Sequence, residues 1–255
     1  MVVLNWDHTM INVNNLDRAI DFFSQQGITF KRGGHHENWG TENALAYFGL
    51  NYIELLTVVD QAKADSLKRS EAAAIYDANV DFKQQVERIN TIAIRTDDIE
   101  ATHEKLRQKG INVGAIATGK RLDQTGQLIT WSIFFIDQTV GNLPLPFFIQ
   151  WQGDDQTREA QLKAQGLIEP QKAGDLVVTE AIFEVPDVQK AASLFAELLD
   201  QPVEMVDEGA NIKLQDRTLR FIKGTADHLM TLVFKGANQT LAGRLVRFDQ
   251  IQFQF

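Results

Sequence analysis

One rhythm recurs along this chain and constrains its fold more than any single residue does. A short β-like run leads to an acidic helix start, an amphipathic helix, and then several more β-like runs. In the first copy residues 8–13 suit a strand, and Asn15 or Asp17 can cap a helix. Leu16, Ala19, Ile20, Phe22 and Phe23 give that helix its apolar side, and it stops near Gly27. Residues 28–30, 44–48 and 52–59 then read as strands separated by glycine-bearing turns. The second copy opens at 90–95, caps its helix at Asp97 or Asp98, ends it at Gly110 and continues with strands at 113–117, 128–136 and 145–151. The third opens at 178–185, starts its helix at Pro186 and Asp187, and continues at 203–205, 214–222 and 229–234. Each copy is therefore βαβββ, which predicts an α+β fold of repeated modules.

Two connectors separate the copies. Residues 61–88 carry spaced apolar positions among Ala, Lys, Gln and Asp and read as one or two helices. Residues 153–173 are polar and read as a short helix plus linker. The tail, residues 248–255, alternates apolar and polar, the period of a strand with one buried face. It reads as the first strand of a fourth copy. The predicted domains are 1–152, holding modules 4–59 and 89–152, and 174–255, holding the third module and the terminal strand.

Composition narrows the function. At 44% hydrophobic and 23% charged, the 255 residues can build a globular core. A net charge of −9 lends no support to nucleic-acid or anionic-membrane binding, which calls for a basic patch. The absence of cysteine excludes disulfides, thiolate zinc sites and cysteine nucleophiles, and fits a reducing, cytoplasmic setting. No run approaches the ~20 apolar residues of a membrane-spanning helix, and the N-terminus lacks the features of a signal peptide. No phosphate-binding glycine loop, dinucleotide turn, Gly-x-Ser-x-Gly elbow or His-Glu-x-x-His motif occurs.

The run Trp6-Asp7-His8-Thr9-Met10-Ile11-Asn12-Val13, leading into the helix at Leu16, resembles the opening of the vicinal oxygen chelate superfamily. That superfamily includes glyoxalase I, extradiol dioxygenases, and fosfomycin- and bleomycin-resistance proteins. Gly33-Gly34-His35-His36-Glu37-Asn38-Trp39-Gly40-Thr41-Glu42-Asn43-Ala44-Leu45, then Tyr52-Ile53-Glu54-Leu55, resembles its glyoxalase-like subgroup, as does Leu145-Pro146-Phe147-Phe148-Ile149-Gln150-Trp151. The subgroup resemblance covers roughly residues 4–152, and the third copy matches only the general repeat.

The resemblance implies that modules one and two pair into a curved mixed-sheet half-barrel with a divalent metal (Fe, Mn, Zn or Ni) on its floor. Imidazole and carboxylate are proper ligands for such ions. Position by position, His8 and Glu54 are the expected ligands from module one. Module two departs from the pattern: Ile89 or Asn90 stands where a second histidine belongs, and Gln150 stands opposite Glu54 as a weaker third ligand. The competing reading is a metal-free floor on which Glu54 accepts hydrogen bonds from His8 and Gln150. Trp39, Trp131 and Trp151 are candidate walls of an apolar cavity or plain core residues. Asn43 belongs to the same motif, and Arg121 is a candidate fork for a ligand carboxylate. His35 and His36 read as a loop, either a solvated turn or a rim over the cavity, and His103 and His228 as surface residues.

Two functions follow as expectations. One is a metal-assisted lyase, isomerase or ring-cleaving dioxygenase acting on a small oxygenated metabolite, with Glu54 as ligand or as general base. The other is a non-catalytic small-molecule binding protein of the bleomycin-resistance kind. Because modules pair in this superfamily, the third module's open sheet edge needs a partner, which the terminal strand 244–255 can add or a second chain can supply as a homodimer.

Overall fold

The computed structural model describes residues 2–122 and 128–255, with backbone alone for Arg121 and Leu122. The first module is β1 (Leu4–Asn12), α1 (Leu16–Gln25), β2 (Lys31–His36), β3 (Thr41–Phe48) and β4 (Asn51–Val58). Asn15 caps α1 by accepting from the Arg18 N–H, and Leu16, Ala19 and Phe23 bury its apolar side. A connector of α2 (Gln61–Asp65) and α3 (Arg69–Lys83) follows. The second module is β5 (Arg88–Thr96), α4 (Ile99–Gln108), β6 (Ala117–Leu122), β7 (Leu128–Phe134), the short pair β8 (Thr139–Val140) and β9 (Leu143–Pro144), and β10 (Phe147–Trp151).

These strands form one curled eight-stranded sheet in the order β2-β3-β4-β1-β5-β10-β7-β6. Its centre is β1 and β5, antiparallel to one another, each flanked by the parallel last strand of its own module, β4 and β10. The outer face of the sheet carries α1 and α4, with Ile11, Phe23, Ile92, Phe134 and Phe148 buried there. The inner face is partly covered by α3, which lays Ala72, Ala73, Ala74, Ile75 and Ala78 against Met10, Ala93, Phe135 and Phe147. A helix side built almost wholly of alanine can approach a sheet closely, and this one sits in the mouth of the half-barrel.

Beyond α5 (Asp155–Ala164), the third module is β11 (Gly174–Val185), α6 (Val188–Leu199), β12 (Glu204–Val206), β13 (Gly209–Leu214) and β14 (Arg217–Lys223). The chain then continues as β15 (His228–Ala237), β16 (Leu245–Phe248) and β17 (Ile251–Gln254). The second sheet runs β12-β13-β14-β11-β15-β17-β16. Apart from β6, which has no counterpart, this repeats the order of the first sheet, with β15 in the place of β5, β17 in that of β10 and β16 in that of β7. This corrects the reading of the tail. The fourth copy opens at β15, has a turn where its helix would be, and ends in the hairpin at 245–254. The third module is thus partnered within the chain, and the argument for a homodimer from an unpaired module loses its basis. His228, expected at the surface, is buried at the head of β15, and burial lowers its pKa to about 3. Among the described residues no helix is long and apolar enough to cross a membrane.

Candidate functional site

The inner face of the first sheet and α3 enclose a cleft of about 580 Å³, counted with its open mouth. His8, Asn43 and Glu54 supply polar groups to it, and Trp39, Trp131 and Trp151 stand among its apolar walls. The structure therefore brings together six of the residues singled out in the sequence.

The polar array starts with a β-bulge. Pairing between β1 and β5 slips between Trp6 and His8, leaving Asp7 as an extra residue. In an unbroken strand Asp7 and His8 would face opposite ways. Here the Asp7 carboxylate lies 2.8 Å from His8 Nδ1, and both residues are buried. Asp7 also accepts from the Trp151 indole N–H at 3.1 Å and from Arg95 at 3.3 Å, with Arg158 at 3.5 Å. Burial by itself would raise the Asp7 pKa; Arg158, the His8 hydrogen bond and Arg95 outweigh it and hold the carboxyl at about 2. An ionised carboxylate only accepts, so His8 Nδ1 is the donor and, in the neutral ring, Nε2 is the acceptor.

His8 Nε2 faces the cleft. Its ring stacks on Tyr52 with centroids 4.4 Å apart and meets the Phe147 edge at 5.4 Å. The Tyr52 hydroxyl is pushed well above its usual pKa by burial, with Asp7 adding to the shift, and stays a phenol. Glu54 Oε2 lies 3.6 Å from His8 Nε2, beyond hydrogen-bond reach. Glu54 Oε1 accepts from Asn43 Nδ2 at 2.6 Å. Asn43 is held in turn because its Oδ1 accepts from the Gly34 N–H at 2.9 Å. That crossing requires glycine at position 33, where a Cβ would stand 2.1 Å from Asn43 Oδ1. His35 and His36, expected in a loop, lie on β2. His36 lines the cleft and meets Thr41 Oγ1 at 3.0 Å, while His35 is exposed beside Glu42.

Gln150 is a correction. Phe147, Ile149 and Trp151 line the cleft, and the alternation of β10 turns Gln150 to the other face. There its Oε1 accepts from the Ile99 N–H and its Nε2 donates to the Asp97 carbonyl, so it steadies the start of α4 instead of reaching Glu54. Ile89 belongs to the outer core and Asn90 is the bulged residue of β5; neither lines the cleft. The side chain of Arg121 lies outside the described residues.

The expected metal fails the test of its donors. Among the described residues no three His, Cys, Asp or Glu side chains are arranged to hold a metal ion. The second module lines the cleft with Trp131, Ile133, Phe135, Phe147, Ile149 and Trp151, none of them a metal ligand. One imidazole and one carboxylate do not make the donor set of a divalent ion.

Sequence reasoning missed Asp7, Tyr52 and Arg158. Asp7 stands next to His8 in the chain, but alternation hides it without knowledge of the bulge. Arg158 lies on the short helix of a segment read only as a connector, and its guanidinium stacks over Trp151 at 4.3 Å.

The sequence profile described as a glyoxalase-like domain matches residues 6–199. No curated protein matches the chain. Among solved structures, a hypothetical protein from Staphylococcus aureus superposes with a TM-score of 0.86 at 23% identity, covering 99% of both chains. The Mn(II)-bound glyoxalase from Novosphingobium aromaticivorans gives 0.51 at 12% identity, over 92% of this chain and 66% of that one. A triple mutant of 4-hydroxymandelate synthase from Streptomyces coelicolor gives 0.53 at 12% identity, over 92% and 71%. At these identities the structures speak for the fold alone, and the profile match over most of the sequence gives the family. The chain belongs to the glyoxalase-like domain family.

Proposed function

We propose that this protein binds a small, flat, largely apolar molecule in the inner cleft without a metal. The observation that carries the reading is the asymmetry of the cleft lining: the first module supplies His8 and Glu54, and the second only Trp131, Ile133, Phe135, Phe147, Ile149 and Trp151. Aromatic walls with a few convergent polar groups are the usual make-up of a small-molecule site. Trp39, Trp131 and Trp151 offer ring faces, and Asn43, His8 and Glu54 offer the polar end.

A metal-free proton-transfer enzyme is the second reading, favoured by the Asp7–His8–Glu54 line. In it Glu54 takes a proton from the bound molecule while Asp7 fixes the His8 tautomer beside it. The lyase and isomerase readings survive in this form, whereas a dioxygenase held to its metal by this donor set does not.

Titration of chelator-treated protein with naphthylmethanol, an uncharged flat probe, tests the first reading by tryptophan fluorescence. Binding is expected without added metal. Trp39→Ala, which removes one wall, should weaken it about tenfold or more. Binding that appears only when Mn²⁺ or Zn²⁺ is restored would refute the reading.

A further inference from the structure

Resting on that reading, we propose that the molecule taken by the cleft is an organic cation, a protonated amine on a flat apolar body. Its N–H would be directed between Glu54 Oε2 and His8 Nε2. The juxtaposition that points there is a buried carboxylate with no lysine or arginine partner among the described residues, set in a box of aromatic rings.

Elsewhere in the first half of the chain, buried carboxylates meet arginine. Asp7 has Arg95 and Arg158, Asp81 has Arg88, and Glu87 has Arg18. Glu54 is also buried, at 8% exposure, though less deeply than these three. Its ion pairs among the described residues include no lysine or arginine; it has the Asn43 amide and a histidine nitrogen 3.6 Å away. A carboxylate taken out of water calls for a compensating charge or donor, and the open side of Glu54 is the cleft.

The histidine adds direction. Asp7 holds the proton on Nδ1, so in the neutral ring Nε2 presents a lone pair toward the same space. Two acceptors 3.6 Å apart cannot bond each other, whereas one donor group placed between them satisfies both. An ammonium carries three N–H donors for that purpose. The rings of Trp39, Tyr47, Tyr52, Trp131, Phe147 and Trp151 line the same cleft. Their faces attract a cation and hold the apolar body that carries it.

Isothermal titration calorimetry with three matched probes tests the proposal: naphthylmethylamine, naphthylmethanol and naphthoate, which differ in charge and little in shape. Wild type should bind the amine about tenfold or more tighter than the alcohol, and the naphthoate weakest. Glu54→Gln, which keeps the side-chain volume, should abolish the preference, so that amine and alcohol bind with about equal affinity. An amine no tighter than the alcohol in wild type overturns the proposal without any variant. A preference that survives Glu54→Gln overturns the role of Glu54. Binding of the alcohol without preference for the amine leaves the metal-free cleft standing, whereas binding of none of the three removes both.

Discussion

Asp7 is wholly buried, and the groups that make its burial tolerable come from β5, β10 and α5 as well as from its neighbour His8. Removing its charge takes a buried partner from two arginines, each only 11% exposed, of which, among the described residues, Arg95 alone keeps a second carboxylate, Asp155 at 2.7 Å. Breaking a buried ion pair from one side costs about 3 kcal/mol or more, so Asp7→Asn should lower the unfolding free energy in urea by about that amount. The same change frees the His8 tautomer. The folded Asp7 pKa is depressed, to about 2 from 3.8. A depressed carboxyl contributes stability that is full above its unfolded value and lost as pH falls through the folded one. The gap between wild type and Asp7→Asn should therefore be widest above pH ~4 and close toward pH ~2. A gap that stays constant across that window would mean that Asp7 acts through packing alone.

At the scale of elements, β2 is the strand that adjusts Glu54, because the Asn43 side chain reaches across it over Gly33. A Cβ at position 33 would stand 2.1 Å from Asn43 Oδ1, while one at position 34 would meet nothing within 4 Å. Gly33→Ala should thus displace Asn43, weaken naphthylmethanol binding and cost about 1–3 kcal/mol. Gly34→Ala should leave binding alone. Equal effects of the two substitutions would show that loss of backbone freedom, not the Asn43 contact, was responsible. The helices were legible in the sequence because their signals are local. Asn15, Asp98 and Asp187 each cap the helix predicted to start there. The meeting of His8, Asn43, Glu54, Trp39, Trp131 and Trp151 was legible through the family motif. Gln150 was not, because a one-residue difference in register moves a strand side chain to the other face. The Asp7 bulge and the return of α5 onto Trp151 depend on pairings between distant segments, which no local pattern announces.

The whole molecule is two half-barrels of unequal completeness, and the second covers the back of the first. Phe22 and Phe23 on α1 pack against Phe248 in the terminal hairpin, Phe23 also stacks on Phe253 at 4.9 Å, and Phe48 on β3 meets Phe234 on β15. One buried apolar cluster runs through both sheets, so neither half has a closed core of its own. Two halves that share a core are expected to unfold together. The chain carries its own reporter for this, since all four tryptophans, at positions 6, 39, 131 and 151, lie in the first half. Phe253 lies in the second half, is fully buried, and is remote in sequence from every one of them. Phe253→Ala should cost about 3–5 kcal/mol, the usual loss for a large core side chain. In urea its tryptophan transition should shift by as much as the transition followed by far-ultraviolet circular dichroism. A tryptophan transition that stays at the wild-type midpoint while the dichroism splits into two steps would show instead that the first half, with its cleft, stands without the second.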